Sequence, residues 1–257
     1  MSVLYLFSGT PSLESHGRRF VAASGGRQAR IALLMVPDFE PHEKQCREAL
    51  RRAGASQIET VAPGANLRLT GPQLETLGNA TGLFMAGGPA STYQRIYAKR
   101  PVARLIRERY AAGVPYAGLS AGSMMAAALC DVGHSIVKTR GNGYLLAAEE
   151  HAGAGGVDLK AGLGLVNDCV VQPHLSEWGQ LPELLEDVRL GRTRVGLGLD
   201  NSICVELRDG RDAVVWGRGR LYVVRPGSKG PRNARLEVET HEPGARFDLA
   251  TGKPIRA

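Results

Sequence analysis

One serine stands in the setting that a serine nucleophile requires. Ser120 lies within Gly118–Gly122, which reads Gly-Leu-Ser-Ala-Gly and connects a short apolar run to a stretch of helix-forming residues. This is the G-x-S-x-G pattern of a nucleophile elbow, where a strand turns sharply into a helix and exposes the serine hydroxyl. The following amide, that of Ala121, would then point at a developing oxyanion. Ser120 is therefore predicted to be a catalytic nucleophile; the other interpretation is that small residues close this turn for packing alone.

A serine nucleophile needs a general base and a group that orients this base. His174 ends an apolar, strand-like run and is expected at the same sheet edge as Ser120. Asp200 ends another such run, with Asn201 beside it. Two plainer interpretations stay open: His174 as a histidine satisfied in the core or at a helix cap, and Asp200 as a turn-forming residue.

The elements that must position these residues follow a strand–helix rhythm. The pattern predicts strands over 3–7, 30–36, 57–61, 82–85, 115–119, 169–174 and 195–199, and helices over 17–23, 43–53, 72–77 and 102–112. Helices between strands imply right-handed crossovers and a mainly parallel sheet, with the ligand site beyond the carboxyl ends of the strands. The glycine-rich strand ends at 87–88 and 118–122 are expected to meet there.

The C-terminal part of the chain has a different pattern. It predicts a β-hairpin, 202–206 with 213–217, and a further strand over 221–224. From Pro226 onward the chain is polar and rich in proline and glycine. We therefore expect a single α/β domain over residues 1–225 and an extended tail over 226–257, anchored by Phe247 and Leu249.

Composition limits the classes of protein to consider. With 257 residues, 43% of them hydrophobic, the chain can bury a substantial core. No apolar stretch reaches the roughly 18 residues of a membrane helix, and Met1–Phe7 reads as a first strand rather than a signal peptide. The four cysteines are scattered without metal-type spacing, which predicts reduced thiols, a cytoplasmic protein and no metal site.

The net charge of +7 comes from arginines spread along the chain, and aromatic residues make up only 5%. This pattern argues against a nucleic-acid partner, which would use basic runs and stacking aromatics. A solvated basic surface is the plain interpretation, and long-range steering of acidic substrates is the functional one. No P-loop or dinucleotide fingerprint occurs, so no cofactor is expected.

Four segments besides the elbow have a distinctive sequence: Phe84–Gly88 (Phe-Met-Ala-Gly-Gly), Gly162–Leu165 (Gly-Leu-Gly-Leu), Gln172–His174 (Gln-Pro-His) and Val195–Asp200 (Val-Gly-Leu-Gly-Leu-Asp). Together with the elbow, they resemble the cyanophycinase and aspartyl dipeptidase (peptidase E) family of serine peptidases. The resemblance covers most of the chain and implies a class I glutamine-amidotransferase-like α/β fold. It also implies hydrolysis of small aspartyl or β-aspartyl, cyanophycin-like peptides. Ser120 matches the family nucleophile, His174 the base, and the amides of Gly88 and Ala121 the oxyanion hole.

Three positions depart from the family pattern. Pro89 follows the Gly-Gly pair where relatives carry Asp or Asn, Gln172-Pro173 stands where cyanophycinases carry Asp-Gln, and Asn201 replaces a glutamate. Pro89 offers no amide hydrogen and no polar side chain. An asparagine can orient an imidazole, so either Asn201 or Asp200 is expected to hold His174, with Asn201 the nearer because strand alternation decides which neighbour faces the site.

Three functions fit these observations. The first is a serine peptidase of this family that acts on a small, acidic peptide, without membrane or nucleic-acid partners and with a homodimer as an open option. The second is a weakly active or inactive binding member of the same fold. The third is an α/β-hydrolase esterase with the chain order Ser120, Asp200, His241.

Overall fold

The computed structural model describes residues 1–37, 39–138, 144–148, 157–190, 193–227 and 235–255. Within these ranges the helices are α1 (Thr10–Ala23), α2 (Glu40–Arg52), α3 (Gly71–Asn79), α4 (Ala90–Tyr97), α5 (Val102–Ala111), α6 (Ala121–Ala126), α7 (Leu175–Trp178) and α8 (Leu181–Arg189). The strands are β1 (Val3–Phe7), β2 (Arg30–Leu34), β3 (Gln57–Val61), β4 (Gly82–Met85), β5 (Tyr116–Leu119), β6 (Leu129–Asp131), β7 (His134–Lys138), β8 (Tyr144–Ala148), β9 (Leu159–Ala161), β10 (Cys169–Pro173), β11 (Val195–Leu199), β12 (Ile203–Arg208), β13 (Asp212–Gly217), β14 (Leu221–Pro226), β15 (Leu236–His241) and β16 (Arg246–Asp248).

An eight-stranded sheet forms the centre of the molecule, in the order β16-β13-β12-β1-β5-β4-β2-β3. The strands from β1 to β3 in this order run parallel, and β12, β13 and β16 extend one edge in antiparallel pairing. Side chains of β1 alternate between two core clusters: Leu4 and Leu6 belong to one, Tyr5 and Phe7 to the other. Both faces are therefore covered. The prediction of an α/β fold with a large, mainly parallel sheet flanked by helices is confirmed.

A second sheet has the strand order β10-β11-β14-β15. The carboxyl ends of its parallel strands β10 and β11 lie beside the carboxyl end of β1. The link between the two sheets is Ser8, which follows β1 and is fully buried. Its hydroxyl donates to the carbonyl oxygen of Leu199 at 3.0 Å and accepts the backbone N–H of His174 at 2.8 Å. The ends of β1, β10 and β11 are thereby held together.

The turn from β5 into α6 depends on two glycines. A Cβ atom on Gly118 would overlap the backbone of Gly122, and one on Gly122 would overlap the carbonyl of Met85 at the end of β4. The helix can lie this close to the sheet only without side chains at these positions. The Ser120 amide continues the sheet pairing by donating to Phe7 O at 2.9 Å.

Helix α4 is missing from the sequence prediction, because Gly87-Gly88-Pro89 reads as a loop. Pro89 is in fact the N-cap residue directly before α4, with the extended backbone (φ −68°, ψ 111°) that this position usually has. The helix buries Tyr93, Ile96 and Tyr97, an i, i+3, i+4 set that forms one apolar face. It fixes the loop that precedes it, and this loop belongs to the site.

Segment 226–257 differs from the expected extended tail in its described part. Strand β15 pairs with β14, and β16 pairs with β13, so both complete sheet edges. Phe247 and Leu249 are buried in the main core, at 1% and 4% exposure. Unpaired backbone N–H and C=O groups at a sheet edge favour the addition of such strands. The polar, proline-rich composition of the segment gives no sign of this pairing. Residues 228–234 and 256–257 of the segment lie outside the described ranges.

The described ranges contain no helix with the length and apolar character needed to cross a membrane. All four cysteines are free and buried. Burial raises the pKa of the Cys46 and Cys169 thiols to about 12, so these groups stay neutral at ordinary pH. The thiols contribute packing rather than reactivity.

We expect Gly122→Ala to lower the free energy of unfolding by about 3 kcal/mol, because the added methyl group meets backbone that cannot move aside. Urea unfolding followed by circular dichroism measures the loss. Gly78→Ala in α3 is the matched control: nothing lies within 4 Å of an added Cβ there, and the change should be neutral or stabilising by up to about 1 kcal/mol. Equal stability of the two variants would contradict the close packing of the elbow.

Candidate active site

Ser120 lies on the predicted elbow, directly before α6. Its backbone φ is 51° and its ψ −114°, a conformation that residues other than glycine rarely adopt. Backbone strain of this kind costs about 1–3 kcal/mol and clusters at functional sites. The side chain is 8% exposed and faces a cavity. Ser120 thus joins a strand to a helix through a strained backbone conformation.

His174 follows β10 and contacts Ser120 across the sheet edge. Its Nε2 atom lies 2.9 Å from Ser120 Oγ, and its Nδ1 atom lies 2.9 Å from Asn201 Oδ1. Because an amide oxygen only accepts hydrogen bonds, the proton sits on Nδ1 and the lone pair of Nε2 faces the serine hydroxyl. The left-handed backbone of His174, with φ 55° and ψ 31°, aims the ring at the elbow.

Burial sets the protonation state of this imidazole. Removal from water lowers the pKa of His174 to about 4, while the hydrogen bond to Asn201 acts in the opposite direction. The Trp178 ring covers one side, with 4.2 Å between the ring centres. His174 is therefore neutral at neutral pH, as a proton acceptor must be.

Of the two residues expected to orient His174, Asn201 is the one in contact. The Asp200 carboxylate instead accepts the hydroxyl of Ser176 on α7 at 2.5 Å and the backbone N–H of Arg220, directly before β14, at 2.8 Å. The Asn201 backbone is held by Glu177, which accepts its N–H at 2.9 Å. Asp200 thus connects the turn after β11 to α7 and to the start of β14.

The loop after β4 lies on the other side of Ser120. Gly88 has a φ of 142°, and the Gly87 carbonyl accepts the Tyr93 hydroxyl at 3.1 Å. The Gly87 N–H donates to His42 Nε2 at 3.2 Å, and burial lowers the pKa of His42, which keeps this nitrogen an acceptor. The loop is therefore fixed from both sides. The sequence analysis missed His42, because its contact spans 45 residues and no local pattern signals it.

Two cavities meet at Ser120. The wider one, about 340 Å³, is lined by Phe39, His42 and Trp178 among others, and is mainly apolar. The narrower one, about 30 Å³, lies between the elbow and the side chains of Asp131 and Gln172. Gly88 borders both, and so does Trp178. A chain bound across the serine would occupy both cavities.

The amide of Ala121 belongs to the first turn of α6, where backbone N–H groups have no partner within the helix. Like Gly88, Ala121 borders the narrow cavity together with Ser120. Both residues predicted for the oxyanion hole, Gly88 and Ala121, therefore line the cavity beside Ser120. Among the described residues, no group of three or more His, Cys, Asp or Glu side chains could hold a metal ion.

His241 lies elsewhere. It ends β15, and its ring stacks on Phe247 with 4.1 Å between the ring centres. The imidazole beside Ser120 is that of His174, which precedes Asp200 in the chain. The α/β-hydrolase order Ser120, Asp200, His241 is therefore wrong.

A family model for peptidase family S51 matches residues 6–214. The chain belongs to peptidase family S51. The cyanophycinase of Nostoc sp. is 26% identical over 220 residues, which cover 82% of this chain and 70% of the relative. The cyanophycinase of Geminocystis herdmanii is 24% identical, with 93% and 91% covered. This S51 protein is thus a hydrolase of the peptidase class, and the resemblance to cyanophycinase and peptidase E is confirmed.

Solved structures show the same fold. A peptidase from an acI-B1 actinobacterium superposes with a TM-score of 0.69 at 15% identity, covering 96% of this chain and 97% of that one. A candidate peptidase E protein from Listeria monocytogenes gives 0.56 at 16% identity, covering 85% and 100%. At this identity the likeness concerns the fold alone.

We expect the His174 imidazole to titrate near pH 4, because the folded protein shields it from water. The signal of its ring Cε1–H group in an NMR titration, assigned by its loss in His174→Gln, gives the midpoint. Trp178→Ala should raise the midpoint toward 6.5 by opening the site. Since the folded-state pKa lies below the unfolded one, this group also makes the protein lose stability as the pH falls from about 6.5 toward 4. A midpoint near 6.5 in the unaltered protein would contradict the shielding.

Proposed function

We propose that this S51 protein is a serine peptidase that cleaves small peptides with Ser120 as nucleophile and His174 as general base. The observation that carries the proposal is the 2.9 Å contact between Ser120 Oγ and an imidazole nitrogen that holds no proton at neutral pH. Nucleophilic catalysis by serine needs this pairing. A binding member of the fold would have no need of a strained serine and an oriented, neutral histidine.

In the proposed reaction, Ser120 Oγ attacks the peptide carbonyl carbon while His174 Nε2 takes up the hydroxyl proton. The carbonyl oxygen gains negative charge, and the amides of Gly88 and Ala121 stabilise it. The C–N bond then breaks, and the imidazolium gives its proton to the leaving amine. Water, activated by the same histidine, hydrolyses the acyl-enzyme and restores Ser120.

Asn201 orients the His174 imidazole but adds no charge to the site. Its amide oxygen keeps the Nδ1 proton in place, and hence the tautomer that presents Nε2 to Ser120. It carries no negative charge to stabilise the imidazolium, which a carboxylate would do. The proposal therefore includes a slower turnover than that of a site with an acidic third member.

The narrower expectations are part of the proposal. They are a class I glutamine-amidotransferase-like fold, a cytoplasmic location and an aspartyl or β-aspartyl substrate. The last rests on the resemblance, since within the described ranges neither cavity beside Ser120 is lined by a lysine or arginine side chain. The homodimer stays a prediction.

We expect Ser120→Ala to abolish both peptide hydrolysis and labelling by a fluorophosphonate, because Ser120 carries the hydroxyl that contacts His174 Nε2. His174→Ala should lower kcat by about 10³-fold or more, as deletions within triads do. Ser123→Ala is the matched control: this buried hydroxyl donates to Phe7 O and Gly118 O, so its loss costs about 1 kcal/mol of stability but leaves labelling intact. Mass-spectrometric labelling of Ser120→Ala would show another nucleophile.

The Asn201 contact predicts how its variants behave. Asn201→Ala should lower kcat by about tenfold or more with little change in KM, because the ring loses its orientation. Asn201→Asp should preserve or raise kcat and shift the acid limb of the pH–rate profile to higher pH, since a carboxylate raises the pKa of His174. Asp200→Asn, one residue away, should leave kcat within about twofold. A larger loss in Asp200→Asn than in Asn201→Ala would assign the orienting role to Asp200.

A further inference from the structure

The narrow cavity beside Ser120 is bordered by buried polar atoms that have no partner among the described residues. Gln172 on β10 is 1% exposed, and neither its amide nitrogen nor its amide oxygen is hydrogen-bonded. Asp131, which ends β6, is 2% exposed; Oδ1 accepts the amides of Gly133 and Asp158, whereas Oδ2 has no partner. A buried polar atom without a partner costs about 1–3 kcal/mol, and native proteins rarely keep several together. Three at one cavity indicate a ligand.

The charge around this cavity is acidic. Behind Asp131, on α8, Asp187 is fully buried and has no partner for either carboxylate oxygen. Burial, together with the nearby Asp131 and Glu183, raises the pKa of Asp187 to about 8, so this carboxyl adds little negative charge at neutral pH and the acidic charge comes from Asp131. Apart from Asp131, the ionisable side chain on the described walls of the cavity is His134. A carboxylate in the cavity could accept from Gln172 Nε2 but would meet the like charge of Asp131, whereas a cation would meet opposite charge and two acceptor oxygens.

The size of the cavity limits the group that fits. Its volume of about 30 Å³ corresponds to about two water molecules. A primary ammonium group is of this size and has three donors, and the unpartnered oxygens of Asp131 and Gln172 are two acceptors for them. A planar guanidinium or an aromatic ring is too large.

On the basis of the proposed peptidase function, we propose that the cavity formed by Asp131 and Gln172 binds an ammonium group of the substrate next to the scissile bond. The wide apolar cavity on the other side of Ser120 then takes the rest of the peptide. The ammonium comes either from the N-terminus of the peptide or from a lysine side chain. The site favours a cation where the family resemblance implies an acid.

The test uses a matched set of peptides with alanine after the scissile bond. The first residue is lysine, norleucine or glutamate, each with a free and with an acetylated N-terminus, and kcat/KM is measured for each. We expect an ammonium-bearing peptide to exceed acetyl-norleucyl-alanine by about tenfold or more, and acetyl-glutamyl-alanine to be the poorest. If acetylation lowers kcat/KM, the cavity binds the N-terminal amine. If replacing lysine by norleucine lowers kcat/KM, the cavity binds the lysine side chain. Preference for the acetylated glutamyl peptide would overturn the proposal.

Two variants tie the preference to the cavity. Asp131→Asn keeps the acceptor for the Gly133 and Asp158 amides but removes the charge. It should lower the ammonium preference, which is the ratio of kcat/KM for the ammonium-bearing peptide to that for acetyl-norleucyl-alanine, by about tenfold. Gln172→Met removes the unpartnered amide at similar volume, so it should fold at least as well and also weaken the preference. Asp158→Asn is the control, because Asp158 pairs with Lys160 outside the cavity. Equal losses for all peptides in Asp131→Asn and Gln172→Met would reduce both residues to a structural role and overturn the proposal.

Binding to Ser120→Ala, measured by calorimetry, separates this subsite from the peptidase function. Tighter binding of the ammonium-bearing peptides, without hydrolysis by the unaltered protein, would support the subsite and contradict the peptidase. If the unaltered protein hydrolyses acidic peptides fastest and Ser120→Ala also binds them most tightly, the peptidase function is supported and the ammonium subsite is contradicted.

Discussion

The hydrogen bonds of the Ser8 hydroxyl hold the two halves of the site together. The nucleophile and the base come from different sheets, Ser120 after β5 and His174 after β10. Ser8 accepts the amide of His174 and donates to Leu199, the last residue before the Asp200-Asn201 turn. One buried hydroxyl thus sets the position of the base relative to both the nucleophile and the orienting residue. Packing alone is less directional, and a shift of about 1 Å would remove the contact between Ser120 and His174.

Much of this arrangement could be predicted, because the signals are local. The elbow is readable since a strand, two glycines around a serine, and a helix must follow one another in the chain. His174 and the Asp200-Asn201 pair are readable since the carboxyl ends of strands collect at one sheet edge. Alternation along the strand predicted Asn201 as the nearer of the two, and the structure places it in contact with the imidazole. Asp200 and Asn201 themselves lie in the turn that follows β11, which ends at Leu199.

Other features could not be predicted, because they depend on contacts between distant segments. His42 meets Gly87 only after α2 has folded against the sheet. Asp131 faces Gln172 because two three-residue strands, β6 and β9, turn the chain back, and strands this short leave no period to detect. Composition also misled the prediction for 226–257, since a strand that completes an edge can be polar along most of its length. Sequence patterns therefore locate the reaction centre better than the walls around it.

Asn201 gives the reaction centre a titration behaviour that an acidic residue in its place would not. An amide takes up no proton in the accessible pH range, so it holds the imidazole in the same way at every pH. A carboxylate at 2.9 Å from Nδ1 would instead titrate together with the imidazole. The two macroscopic pKa values would then belong to the pair rather than to either group. With Asn201, the histidine ionises as a single, uncoupled site. The ionisation of the imidazole that faces Ser120 is then described by one equilibrium constant, that of His174.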